Sequence, residues 1–143
     1  MMEAYGMAGH LIRRLHQLST QVFTQHAKEA GFDLTSVQFA AMDAIRAHPG
    51  IDQAGVAGLI AYDRATIGGV IDRLVAKGLV AREISRRDRR AREVRLTDEG
   101  ERVFAAMLPV VRDVQDTILS ELSEDERGIF LSLARKSLHA PEA

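Results

Sequence analysis

The sequence predicts a mainly α protein with one small β-wing set in its second half. Three observations predict it. Apolar residues recur at gaps of three and four through most of the chain, the spacing of one helix face. Two short alternating stretches, Leu79 to Ile84 and Glu93 to Leu96, interrupt that pattern as a hairpin. Positive charge is gathered there: Arg64 to Arg95 holds ten Lys/Arg against four Asp/Glu, a net of +6 in a chain of net −1. The remainder therefore sums to −7, and a basic surface on an acidic body points to polyanions.

The first helix is expected over about residues 4–30, with a stripe of Leu11, Ile12, Leu15, Leu18, Val22 and Phe23 and a stop at Gly31. Its stripe is longer than one small core can cover, which calls for burial against a partner subunit. Thr35 to Gln38 is a capping box that opens a second helix running to about His48, where Pro49-Gly50 ends it. Asp52 caps a third, Gln53 to Ile60, and Asp63 a fourth, Arg64 to Lys77, closed by Gly78. A tight turn, Ala61-Tyr62, joins these two as a helix-turn-helix. Thr97 caps a fifth helix, which Pro109 is expected to kink or interrupt, and Ser123 to Glu126 is a second capping box for the last. The resulting division is 1–34, an N-terminal dimerisation helix; 35–97, a winged helix-turn-helix core; and 98–143, C-terminal dimerisation helices.

The basic segment carries the chemistry. With Ile67, Val70, Ile71 and Leu74 facing the core, the opposite face of the fourth helix holds Arg64, Thr66, Gly68, Gly69, Asp72 and Arg73. Such a helix enters a major groove with its N-terminal residues toward base edges. Arg64 suits guanine or phosphate, and Thr66 a thymine methyl or phosphate. Two glycines inside a helix cost roughly 0.5–1 kcal/mol each against alanine. Close approach of backbone to DNA explains them, and close packing on a neighbouring helix is the other explanation. Arg86, Arg87, Arg89, Arg90 and Arg92 load the wing with cations suited to a narrow minor groove. Asp88 among them is expected to orient an arginine through a paired hydrogen bond.

Residues 88–100, DRRAREVRLTDEG, resemble the wing signature of the MarR family of regulators. The stretch Arg64-Ala-Thr66 and the run from Asp72 to Val80 are similar to that family's recognition helix and its exit. The resemblance spans essentially the whole chain. It implies a homodimeric transcription factor on a pseudo-palindromic double-stranded operator, commonly a repressor released by a small ligand. It implies that Arg90 is the wing arginine that reaches the minor groove, with Asp88 its conformational partner. Arg64, Thr66 and Arg73 fall at positions that contact DNA; Gly68-Gly69 departs from the larger polar residues common there. The resemblance also places an effector between the terminal helices and the core. Candidate lining residues are His10, Arg14, His16, Phe39, Met42, Met107, Val111 and Arg112, a set suited to an aromatic carboxylate or its thioester. Phe39 and Met42 equally suit ordinary core, and Arg14 and Arg112 surface ion pairs.

Other classes find little footing. Zero cysteines exclude disulfides and thiol sensing. His10 and His16 lie about 240° apart around a helix and cannot share one metal ion from there. No HExxH, phosphate loop or nucleophile elbow is present, so no enzyme and no cofactor is expected. His10, Arg13, Arg14 and His16 interrupt any signal-peptide-like apolar run, and no stretch reaches the roughly 20 apolar residues of a membrane span, which fits a cytoplasmic protein. The alternative reading is an architectural or protein-binding winged helix without effector, for which residues 97–126, nine acidic against two basic, offer a surface.

Overall fold

A computed structural model describes residues 1–140; residues 141–143, the end of the expected C-terminal arm, lie outside the described residues. A short 3-10 turn, Glu3–Gly6, leads into α1 (Ala8–Glu29). Then come α2 (Ser36–Ala47), α3 (Gln53–Leu59), α4 (Ile67–Ala76), β1 (Val80–Ile84), β2 (Arg92–Leu96), α5 (Asp98–Ile118) and α6 (Glu124–Ser137).

Local chemistry sets most of these boundaries. Thr35 and Gln38 close a reciprocal capping box on α2, and Ser123 and Glu126 do the same on α6. The ends of α1 and α4 are paired turns. Phe32 N–H returns to the Ala27 carbonyl and Gly31 N–H to Lys28; Leu79 N–H returns to Leu74 and Gly78 N–H to Val75. The left-handed φ this requires, +81° at Gly31 and +75° at Gly78, costs glycine nothing. α3 ends the same way, with Tyr62 N–H on the Ala57 carbonyl, yet the left-handed residue is Ala61 at φ 53°. An alanine there stores about 1–2 kcal/mol of strain in the turn between the two helices.

Three expectations need correction. α1 starts at Ala8 rather than near residue 4, because Glu3–Gly6 forms a separate 3-10 turn and Met7 is extended. α4 starts at Ile67, not Arg64, because the Asp63 carboxylate takes the Ala65 N–H and holds residues 63–66 in a turn. α5 runs through Pro109 without a break. The missing N–H leaves the Ala105 carbonyl without its helical donor, but both residues are exposed to solvent, where that loss costs least.

The core lies where α2, α3, α4 and the sheet meet under α5. Met42, Ile45, Val56, Ile71, Leu74, Val94 and Met107 are fully buried, each contributing roughly 1.5–3 kcal/mol. Phe39 stacks on Phe104 with ring centroids 5.0 Å apart, joining α2 to α5, and Phe23 of α1 abuts Phe39 at 6.2 Å. β1 and β2 pair antiparallel, Val80 with Leu96 through Ile84 with Arg92. The chain before α3 adds a third rung: Gly50 N–H donates to the Val94 carbonyl, Val94 N–H to Ile51, and Asp52 bridges to Glu93. α5 begins against the wing root, where Gly100 faces the Leu79 carbonyl so closely that a Cβ would stand 2.1 Å from the oxygen.

The two ends of the chain are less covered. α1 packs along α5, burying Phe23 and Ala27, but leaves Met7, Leu11, Ile12 and Leu18 exposed. α6 buries no residue at all; Ile129, Leu133 and Leu138 are 59%, 56% and 76% exposed. Its root is tethered to α5 by Arg127, which donates to the Leu119 carbonyl and pairs with Asp116.

Candidate nucleic-acid interface

The fourth helix and the wing enclose a cleft of about 610 Å³ lined by Asp52, Gln53, Ala54, Arg64, Ala65, Ile67, Gly68, Asp88, Arg90, Ala91 and Arg92. Arg64, Gly68, Asp88, Arg90 and Arg92, expected from sequence at one surface, are thus brought together. Arg86, Arg87 and Arg89 stand exposed at the wing tip, and Arg73 and Gly69 on the open face of α4. Arg64 and Thr66 belong to the turn before α4 rather than to the helix. The Thr66 hydroxyl donates to the Asp63 carbonyl at 3.2 Å, which leaves its methyl and its lone pairs for a partner.

The glycine pair is resolved by space. A Cβ at Gly69 would meet nothing within 4 Å, and one at Gly68 would meet only the Gln53 amide nitrogen at 3.8 Å. Packing on a neighbouring helix of the same chain therefore does not require either glycine. Gly68 presents bare backbone to the cleft and Gly69 to the open face of α4 beside it.

Asp88 is the pivot of the wing tip. Its Oδ1 accepts the backbone N–H of Arg90 at 3.0 Å and the Arg90 Nε at 3.3 Å, so one carboxylate fixes both the turn and the guanidinium. The Arg90 side chain is 93% exposed and free to project outward. Ser85, buried at 5%, organises the same loop from below. Its hydroxyl accepts the N–H groups of Arg87 and Asp88, while its own N–H reaches Ala91. Ser85 escaped notice in the sequence because its role is local hydrogen bonding inside a charge run; a small hydroxyl just ahead of that run is the signal.

Arg82 was also missed. It lies between Val80 and Ile84 on one face of β1. It finds two partners: its Nη1 pairs with Asp72 of α4 and donates to Gln53 Oε1 of α3 at 3.0 Å. The one carboxylate on the outer face of α4 is thereby neutralised, and the wing base is tied to both helices.

Among the described residues of one subunit the expected ligand residues fall in two places. Met42 and Met107 are fully buried, and Phe39 is stacked on Phe104, so these three are core. Val111 is half-buried beside them and Arg112 is exposed. His10, Arg14 and His16 share a shallow groove of about 570 Å³ along α1 with Arg13 and Gln17. There Tyr5 sets an edge against the His10 ring, and Arg14 covers the Tyr5 ring at 5.5 Å while donating to its hydroxyl. His10 Nε2 is buried and unpaired. Among the described residues no cluster has the makings of a metal site, and no helix is long and apolar enough to cross a membrane.

A helix-turn-helix, a cationic hairpin directly after it and an arginine-lined cleft between them define a winged helix-turn-helix DNA-binding regulator. Comparison with known proteins narrows the class. A sequence model of the MarR family matches residues 32–91. The chain is 37% identical over 134 residues to the HTH-type transcriptional repressor NicR of Pseudomonas putida, covering 94% of this chain and 84% of that one. Among solved structures it superposes on BpsR of Bordetella bronchiseptica, whose DNA binding is regulated by 6-hydroxynicotinic acid, with a TM-score of 0.86 and 30% identity over 99% of both chains. PcaV of Streptomyces coelicolor, solved with its natural ligand, gives 0.83 and 32%, again over 99% of both. The protein belongs to the MarR family.

Proposed function

We propose that the protein is a homodimeric repressor that grips an inverted-repeat operator and is released by a small aromatic acid. The observation that carries the DNA half is the Asp88–Arg90 wing tip beside a glycine-backed helix, with the cleft between them lined by Arg64, Arg90 and Arg92. Each subunit sets α4 in a major groove and the wing in the adjacent minor groove, and half-site centres fall about one helical turn, roughly 34 Å, apart. Arg64, Thr66, Arg73, the two glycines and the wing arginines supply the contacts. The uncovered stripes of α1 and α6 supply the dimer interface, since monomers seldom expose long apolar faces. Such a protein works beside the chromosome, in the cytoplasm, and binds its effector without transforming it.

The effector reading draws on BpsR and on the α1 groove. Arg14 offers a guanidinium for a carboxylate and His16 an imidazole for a ring substituent, while His10, its Nε2 buried and its Nδ1 paired with Arg13, would act from behind them. Phe39, Met42, Met107, Val111 and Arg112 would act behind this wall, transmitting rather than touching.

The experiment pairs operator binding with ligand release. Arg90→Ala weakens binding to a selected inverted-repeat duplex by about 1–3 kcal/mol and lowers the salt slope by about 1. Unchanged affinity in that variant removes the wing from the interface. Aromatic acids, 6-hydroxynicotinic acid first, are expected to raise the melting point of the wild type and free the duplex. An equal rise in Arg14→Ala would place the effector elsewhere.

A further inference from the structure

Gln53 is the half-exposed first residue of α3, and nothing in the repressor reading gives it a role. Its side chain lines the cleft between α4 and the wing, opposite Gly68. Arg82 fixes which way its amide points. A guanidinium has no acceptor, so the atom it meets at 3.0 Å must be the Gln53 oxygen. The Nε2 group therefore faces away from Arg82, and its two N–H donors meet no protein acceptor among the described residues. Gly68 leaves that nitrogen uncovered: a Cβ there would already come to van der Waals contact with it, at 3.8 Å. Asp52 and Asp88 also line the cleft, but each carboxylate is engaged, Asp52 by the Gly55 N–H at 2.7 Å and Asp88 by Arg90.

What fills such a cleft follows from duplex geometry. A helix in a major groove and a hairpin in the adjacent minor groove straddle the sugar–phosphate strand that separates them. The space between them is a saddle for that strand, and its walls carry Arg64, Arg90 and Arg92, one neutral donor, and the two engaged carboxylates of Asp52 and Asp88. We infer that Gln53 is a DNA-contacting residue that donates its side-chain amide to a backbone phosphate seated in this cleft, and that Arg82 is the residue that positions it. The inference rests on the DNA-binding reading above. It gives Gly68 a purpose and explains why a neutral amide sits among cations. The contact adds orientation without a counterion.

The test is a coupling measurement on the full chain. Wild type, Gln53→Ala and Arg82→Ala are titrated, by fluorescence anisotropy, with an inverted-repeat duplex selected by the wild type from a random library. The same duplex is then made with single phosphates replaced by neutral methylphosphonates. Gln53→Ala is expected to weaken binding about tenfold, by the same factor on the selected and a scrambled duplex. The slope of affinity against salt stays unchanged, because no charge is lost. One methylphosphonate position per half-site should cost the wild type about tenfold and Gln53→Ala almost nothing, with Arg82→Ala behaving like Gln53→Ala there. Melting curves of Gln53→Ala matching the wild type exclude a folding effect. Undiminished affinity of Gln53→Ala overturns the inference. So does a loss confined to one base pair, which would mean base reading, or a loss spread equally over every phosphate. A wild type that binds no duplex sinks the repressor reading with it; a wild type that binds, beside an unaffected Gln53→Ala, sinks this inference alone.

Discussion

Gly100→Ala is the smallest substitution that should damage this fold most. Thr97 caps α5 by accepting the Gly100 N–H at 3.0 Å, and its own N–H donates to the Leu79 carbonyl at 3.0 Å. That carbonyl occupies the space beside Gly100: an added Cβ would stand 2.1 Å from the oxygen, 3.0 Å from the carbonyl carbon and 3.4 Å from Leu79 Cα. All three are main chain, so no rotamer change relieves them. The start of α5 or the wing root must move by about 1 Å, which in a close-packed interior costs on the order of 1–3 kcal/mol. Displacing Leu79 also stretches the Thr97 hydrogen bond, about 1 kcal/mol more. Alanine recovers at most ~1 kcal/mol of helix propensity. The net expectation is a loss of about 1–3 kcal/mol. It is read as a lowered urea midpoint with unchanged slope, at one fixed protein concentration because a dimer's stability depends on it. Gly69→Ala, whose Cβ meets open space, is the control and should gain up to ~1 kcal/mol. If both variants unfold at the wild-type midpoint, the contact between α5 and the wing root is not what fixes glycine at position 100.

Three further outcomes follow from particular contacts. Ser85→Ala leaves the Arg87 and Asp88 N–H groups without their acceptor, so hydrogen exchange at residues 85–91 should quicken while α2 amides stay protected; equal protection of the loop would deny Ser85 its role. Leu133→Asp puts a charge on the uncovered face of α6 and should yield monomers by sedimentation at micromolar concentration, whereas an intact dimer would exclude α6 from the interface. The Glu126 carboxyl is held below its ordinary value of 4.5, chiefly by the Ser123 backbone N–H that it accepts. Its folded pKa is depressed, so its stabilising contribution is present above 4.5 and is lost as pH falls through the lower folded value. Helical circular dichroism lost on mild acidification should therefore be smaller in Glu126→Gln, which keeps an uncharged acceptor; identical acid profiles would contradict this.

Short-range chemistry was legible in the sequence and long-range chemistry was not. Both capping boxes, the glycine stops at Gly31 and Gly78 and the Asp88–Arg90 pairing involve partners within five residues, which a linear reading can see. The delayed start of α4 was missed because Asp63 serves a turn as well as it serves a helix cap, and only the surrounding packing chooses. The third rung of the sheet, Gly50 and Ile51 on Val94, joins residues more than forty positions apart. Arg82 illustrates the same limit: it was counted among the cations, but its charge is spent on Asp72 and Gln53 rather than offered outward. The expected effector residues were the hardest to place, because whether Phe39, Met42 or Met107 faces a pocket or the core is decided by how the helices pack and not by which residues they carry.

The tie at Arg82 makes the wing a cantilever. Its root is clamped to two helices, while Arg86, Arg87, Arg89 and Arg90 hang beyond the clamp. On the proposed DNA reading, substitution at the free end would change the hold on the duplex while the Arg82 contacts to Asp72 and Gln53 keep the root in place. Strength of hold would then be separable from the register of reading.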